Sequence, residues 1–280
     1  MIDKKSVLIT GCSGGGIGGA LALVFQQRGY HVFATARTTS KMSALAQLPN
    51  VTLLTLDVTN TSHIAAAVNS VTRGTGGTLD YLINNSGRNH FSPILDLDMQ
   101  EAKRLYDTNV WGSVAVIKGF APLIIKAKGT IANITSISGH VNVPWMGTYA
   151  ASKRSLEIIS ETLRLELSPF GVTVLSVVTG AVKTNGQTYF GDWKLPEDSI
   201  YKPIEAKIAS RAQGHDGVKR METMDYAKKV VNDIEAGASG KVWRGSTAGA
   251  VRFGSVFLPQ SLMDSSLVKG TGLPDLPKAK

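Results

Sequence analysis

Six short runs of β-branched and aliphatic residues recur along the chain, at Ser6–Thr10, His31–Ala36, Val51–Leu56, Tyr81–Asn84, Thr130–Thr135 and Thr173–Val178. A strand with one face in water alternates apolar and polar residues, whereas near-continuous apolar runs suit strands buried on both faces. The segments between the runs are long enough to be crossover helices. The rhythm therefore predicts an α/β fold, a single domain over residues 1–280 built on a doubly wound parallel sheet flanked by helices, with ligands at the carboxyl ends of the strands. With 43% hydrophobic and 18% charged residues, the chain can fill the core such a sheet demands and is too apolar for a disordered protein.

Three helices read most clearly between the strands. Ile17–Arg28 stops at Gly29, residues 100–127 give one long stretch, and residues 149–168 close at Ser168-Pro169 before Gly171. After Thr184 the pattern weakens. Residues 185–217 hold Gly, Pro, Trp and Tyr without clear periodicity and read as an irregular substrate loop over a binding cleft. There is no internal repeat.

Several function classes are disfavoured at this level. The net charge of +9 is carried by scattered Lys and Arg rather than by a basic run, and no zinc-finger or RNA-binding signature accompanies it, so no nucleic acid partner is expected. Cys12 is the single cysteine, which rules out intramolecular disulfides and Cys-based metal clusters and suits a reducing, intracellular and cytoplasmic setting. No His and carboxylate set has metal-ligand spacing, so no metal is expected. The N-terminal MIDKKSVLIT reads as a first strand rather than a secretory signal.

The first strand runs directly into Thr10-Gly11-Cys12-Ser13-Gly14-Gly15-Gly16-Ile17-Gly18 and then into a helix. Glycines allow the backbone to turn tightly, to bring N–H groups against a pyrophosphate at the positive end of a helix, and to pack helix on strand. Thr10, Gly11, Ser13, Gly16, Ile17 and Gly18 are the expected contacts, and which of Gly14, Gly15 and Gly16 approaches the phosphate stays open. An acid at the end of the second strand would select NAD through the ribose 2′-hydroxyl. Arg37 stands there instead, suited to a 2′-phosphate, and NADPH/NADP+ is the expected cofactor.

Tyr149 and Lys153 lie four apart, which on a helix places them on one face a turn from each other. A phenol is a poor proton donor near neutrality, and a nearby cation favours its phenolate and pulls the pKa down. Ser136, at the end of the Thr130–Thr135 strand, offers a hydroxyl to orient a substrate carbonyl.

With these motifs in this order, joined by Asp57-Val58, Asn84-Asn85-Ser86-Gly87 and Asn109, the chain resembles the short-chain dehydrogenase/reductase family over roughly residues 5–185. The resemblance implies a Rossmann-type fold in which Tyr149 protonates a carbonyl oxygen held by Ser136. Lys153 would bind the nicotinamide ribose and depress the tyrosine pKa, and Asn109 would hold a water for proton resupply. It further implies that Asp57 and Val58 sit by the adenine, Asn85 and Gly87 line the adenosine region, the Val182 backbone meets the carboxamide, and Thr184 contacts the cofactor. The chain departs from the family pattern at Ser86, which replaces an alanine, and at Thr179-Gly180, which replaces Pro-Gly.

The Gly-Cys-Ser-Gly-Gly-Gly-Ile-Gly turn and Val242-Trp243-Arg244-Gly245 are similar to a fungal-type subgroup of NADPH-dependent 1-acyldihydroxyacetone phosphate reductases and secondary-metabolite ketoreductases. The expected reaction is reduction of a ketone, or the reverse alcohol oxidation, on a hydrophobic or lipid-like small molecule. The alternative is a non-redox dehydratase, isomerase or cyclase on the same fold. His90, Phe91, Val141, Trp145, Met146, Tyr189 and Trp193 are the candidate pocket wall, with His140 a further candidate for touching substrate. Phe253, Val256, Phe257, Leu258, Leu262 and Met263 suggest peripheral membrane contact, a partner subunit, or a helix covering its own domain. Pairing through the two long helices into a homodimer or homotetramer is what the resemblance implies.

Overall fold

The computed structural model describes residues 4–277, without the side chains of residues 187–189. Seven parallel strands form one sheet in the order β3-β2-β1-β4-β5-β6-β7. They are β1 (Ser6–Ile9), β2 (His31–Ala36), β3 (Val51–Thr55), β4 (Tyr81–Asn84), β5 (Thr130–Ser136), β6 (Thr173–Thr179) and β7 (Gly240–Arg244). The first six match the apolar runs of the sequence. β7 was not among them, because GKVWR is a short, half-buried edge strand with two cations and lacks the continuous apolar signature.

Nine α-helices connect and cover the described strands: α1 (Ile17–Gln27), α2 (Thr61–Thr75), α3 (Met99–Tyr106), α4 (Gly112–Ala127), α5 (Gly147–Leu167), α6 (Glu205–Ala212), α7 (Thr223–Glu235), α8 (Ala248–Phe257) and α9 (Gln260–Val268). One face of the sheet is packed by α1 and α7 through Leu21, Phe25, Tyr226 and Val230. The other is packed by α2 and α4 through Ile64, Val71, Val116 and Phe120. Burial on both faces explains the strands' apolar runs. The stretch Met99–Ala127 is long and apolar enough to cross a membrane, but in the fold its apolar side chains Val116, Ile117, Phe120 and Ile124 serve the core.

Strand order reverses direction between β1 and β4, which are hydrogen-bonded neighbours. Helices leave these two strands on opposite sides, and the crevice at their carboxyl ends is where such a sheet binds ligands. The turn after β1 and the turn after β4 therefore face each other.

The 185–217 region is more regular than its sequence suggests. It holds 3-10 turns at Asn185–Phe190 and Lys202–Ile204, and then α6. Ile204, Ile208 and Ala212 are buried at helical spacing, a signal present in the sequence but masked by the Pro- and Gly-rich flanks.

Candidate active site

The turn after β1 and the turn after β4 form one hydrogen-bonded unit. The Thr10 hydroxyl accepts from the backbone N–H groups of Asn85 at 3.0 Å and Ser86 at 2.9 Å. The Asn85 amide returns to Thr10 O at 2.8 Å and Gly11 O at 3.0 Å. The Asn85 side chain therefore holds the glycine turn in shape through its amide nitrogen.

The glycines have separate tasks. Gly11 and Gly15 take left-handed φ values of +74° and +73°. At Gly18 a Cβ would lie 2.4 Å from Gly11 O, so only glycine lets α1 begin this close to the turn. Gly16 is the N-cap of α1 and supplies no side-chain cap, leaving the first N–H groups of the helix directed at the crevice. Gly14 donates to Lys41 O at 2.8 Å, and a Cβ at Gly15 would strike the Asn185 amide. Neither Lys41 nor Asn185 was indicated by the motifs. The tight glycine cradle and open helix end fit a pyrophosphate.

Arg37 is exposed at the end of β2 and makes no ion pair among the described residues. Beside it, burial works to raise the Asp57 carboxyl, but hydrogen bonds from Thr59 at 3.0 Å and 2.8 Å, with Arg37 and His63 nearby, hold it below its ordinary value. Val58 is buried, with Cγ2 against Gly112.

Ser136 is the last residue of β5 and is buried. Tyr149 stands in the first turn of α5 and is half-buried beside Ser136. One turn on, the buried Lys153 donates from Nζ to Ile134 O at 2.9 Å and lies 6.0 Å from the Tyr149 ring centre. A Cβ at Gly87 would sit 3.2 Å from Lys153 Nζ and 3.3 Å from Asn109 Oδ1, so the turn after β4 closes directly on the lysine.

The electrostatics correct one expectation. Burial raises the Tyr149 phenol above its ordinary pKa, and the hydrogen bond from Ser136 only opposes that rise. The Lys153 ammonium one turn away is itself desolvated and turned to a backbone carbonyl. Its own pKa is pulled from 10.5 to about 8 by burial.

Asn109 lies in a π-helical turn, Asp107–Trp111, between α3 and α4, the kind of helix irregularity that collects at functional sites. Its Oδ1 accepts from Arg88 N at 2.8 Å, and its Nδ2 donates to Arg88 O at 3.0 Å and Ser152 Oγ at 3.1 Å. Ser152 in turn donates to Tyr149 O at 2.7 Å. Asn109 thus ties the turn after β4 to the first turns of α5.

After β6 the chain folds back over the glycine turn, with Asn185 N donating to Gly15 O at 3.4 Å. This return carries the buried Val182 and Thr184, whose hydroxyl accepts from Gly186 N at 3.2 Å. At Thr179-Gly180, where the family pattern has Pro-Gly, the Thr179 hydroxyl meets that of the buried Tyr226 at 2.6 Å. At Gly180 a Cβ would lie 2.1 Å from Ser246 O. A side-chain bond holds this corner in place of a proline ring.

Of the candidate pocket wall, Phe91, Trp145, Met146 and Trp193 gather in one apolar cluster with α6. The Trp193 indole donates to Phe91 O at 2.7 Å, and that of Trp145 to Thr271 O at 3.2 Å. Trp145 has a left-handed φ of +71°, a strained position held by this packing. Val141 is buried, and His90 is half-buried with its pKa lowered mainly by burial. The Tyr189 side chain lies outside the described residues. His140 is held by protein partners: its Nε2 lies 2.7 Å from buried Glu157 and its ring centre 4.6 Å from that of Trp243. Phe253, Val256, Phe257, Leu258 and Leu262 stay exposed, whereas Met263 is half-buried under Gly254.

A sequence profile described as short chain dehydrogenase matches residues 5–195. The short-chain dehydrogenase ptmH of Penicillium ochrochloron is 46% identical over 97% of this chain and 100% of that protein. An NADPH-dependent 1-acyldihydroxyacetone phosphate reductase of Schizosaccharomyces pombe is 42% identical over 74% of this chain and 71% of that protein. Among solved structures, ElxO with NADP bound is 27% identical with a TM-score of 0.69, covering 85% of this chain and 96% of that one.

Proposed function

The chain belongs to the short-chain dehydrogenase family, and we propose that it reduces a ketone on a hydrophobic small molecule with Tyr149 as general acid, the reverse alcohol oxidation using the same residues. It is an NADP-dependent oxidoreductase, in keeping with the NADPH-dependent relative and with an exposed Arg37 where an acid would select NAD. NADPH, when bound, supplies the hydride. The chain's own residues do the rest.

Thr10, Gly11, Ser13, Gly16, Ile17 and Gly18 hold the pyrophosphate at the start of α1, and Arg37 grips the 2′-phosphate by charge-assisted hydrogen bonds. Asp57, Val58, Asn85 and Gly87 shape the adenosine side, Asn85 doing so by bracing the turn. Val182 and Thr184 would meet the nicotinamide end. Ser136 donates to the carbonyl oxygen as charge develops there, and Tyr149 gives that oxygen its proton. Burial raises the phenol above its ordinary pKa and so favours the protonated form that a donor needs. Lys153, with a pKa near 8, returns a proton to the phenolate and binds the ribose. Asn109 holds this face of α5 in register and supports the water that resupplies Lys153.

The observation that carries the reading is the grouping of Tyr149 beside Ser136 with the Lys153 ammonium 6.0 Å from its ring, Lys153 standing close against Gly87 in the turn after β4. The cluster of Phe91, Trp145 and Trp193 supports a hydrophobic substrate. Exposed Trp111, Ile158 and Leu165 near and along α5 support pairing of two copies. The test is NADPH consumption against acyl-dihydroxyacetone phosphates, aromatic polyketides and simple ketones. Tyr149→Phe is expected to abolish turnover of any ketone that is consumed while NADPH still binds. Retained turnover refutes the acid role.

A further inference from the structure

We infer that Ser138 is a positioning residue for carbonyl reduction, fixing the direction in which Ser136 donates its proton by donating two hydrogen bonds to the Ser136 oxygen. This rests on the reading that Ser136 holds the substrate carbonyl.

β5 ends at Ser136 in extended backbone, φ −151° and ψ 147°, and the chain turns at once into a 3-10 turn, Ile137–His140. Ser136 is the N-cap of that turn. Its Oγ accepts from Ser138 N at 3.2 Å and from the Ser138 hydroxyl at 2.8 Å. Both serines are buried, at 9% and 6% exposure, so water does not compete for these bonds.

A serine oxygen has two acceptor positions and one proton. Ser138 fills both acceptor positions. The Ser136 proton then has no use within the turn and is directed outward, toward the neighbouring Tyr149 hydroxyl. That is where a carbonyl oxygen has to sit to receive both groups. Two donated bonds also polarise the Ser136 hydroxyl and strengthen its own donation, most of all toward an oxygen gaining negative charge. The turn itself is pressed on α5, since a Cβ at Gly139 would lie 3.2 Å from Arg154 N. Ser138 therefore acts through Ser136, with a rigid turn behind it.

An alanine at 138 keeps the backbone N–H bond and removes the hydroxyl bond alone. With a ketone that the wild-type enzyme turns over, Ser138→Ala is expected to lower kcat roughly tenfold, the value of one hydrogen bond to a developing charge, with KM and NADPH affinity within about twofold. In the Ser136→Ala background the same change is expected to add less than about twofold, because the group it acts through is gone. Ser138→Thr, which retains a hydroxyl, is expected to keep most of the turnover.

An unchanged kcat in Ser138→Ala overturns the inference, as do equal losses on both backgrounds. A loss of NADPH binding in step with turnover also overturns it and makes Ser138 part of the scaffold. Failure of the underlying reading is recognised separately, since Ser136→Ala would then retain full activity.

Discussion

Burying the Lys153 ammonium works against folding, and the structure allows the size of that effect to be stated. Its pKa falls from 10.5 to about 8, and the group is 6% exposed, so solvent screening is slight. At about 1.4 kcal/mol per decade, the folded state at pH 7 carries a penalty of roughly 3 kcal/mol. Lys153→Met removes the charge, keeps much of the apolar volume, and loses the bond to Ile134 O, which is worth about 1 kcal/mol. The variant is expected to be inactive and yet more stable at pH 7 than the wild type by about 2 kcal/mol.

The pH dependence has a definite sign. Between about 8 and 10.5 the unfolded chain holds a proton that the folded chain has released, so unfolding takes up a proton and wild-type stability gains with rising pH. The advantage of Lys153→Met is therefore expected to be full below about pH 8 and to vanish toward pH 10.5. Urea unfolding of both proteins without added NADPH, at pH 7 and pH 10, measures it directly, since a ligand bound to the native state would add its own stabilisation. A variant no more stable than the wild type at pH 7, or a gap that does not shrink at pH 10, refutes the argument.

Other substitutions probe the remaining parts of the site. Arg37→Ala is expected to weaken NADPH binding by roughly tenfold to a hundredfold while leaving NADH binding within about twofold, measured by fluorescence titration; equal losses for both cofactors would contradict the 2′-phosphate role. Gly18→Ala places a Cβ 2.4 Å from Gly11 O and 2.5 Å from the Asn85 amide nitrogen, and NADPH affinity is expected to fall at least about tenfold; an unchanged Kd would mean the turn yields more than its packing indicates. Tyr226→Phe removes the 2.6 Å bond to Thr179 and is expected to destabilise the chain by about 1–2 kcal/mol in urea unfolding, with an unchanged midpoint counting against that bond as the replacement for proline.

The parts of this protein that could be read from sequence are those set by short-range spacing. Apolar runs betray strands covered on both faces, a glycine turn between a strand and a helix marks a phosphate cradle, and Tyr149 and Lys153 share a helix face because four residues make about one turn. Each depends on neighbours a few positions away. The edge strand β7 escaped because one half-buried strand with polar ends carries no such periodicity, and α6 because its period is interrupted by Pro203 before it begins.

What folding alone decided depends on partners brought together across the sheet. Asn85 clamps a turn 75 residues away in the chain, and Thr179 meets Tyr226 across 47 residues. His140 meets Glu157 across 17 residues and Trp243 on the edge strand. Whether a phenol beside an ammonium is made acidic or kept neutral belongs to the same class: spacing puts the two groups near each other, but desolvation raises the Tyr149 pKa and lowers that of Lys153. Proximity along a helix is a property of sequence, whereas burial is the sum of everything packed around it.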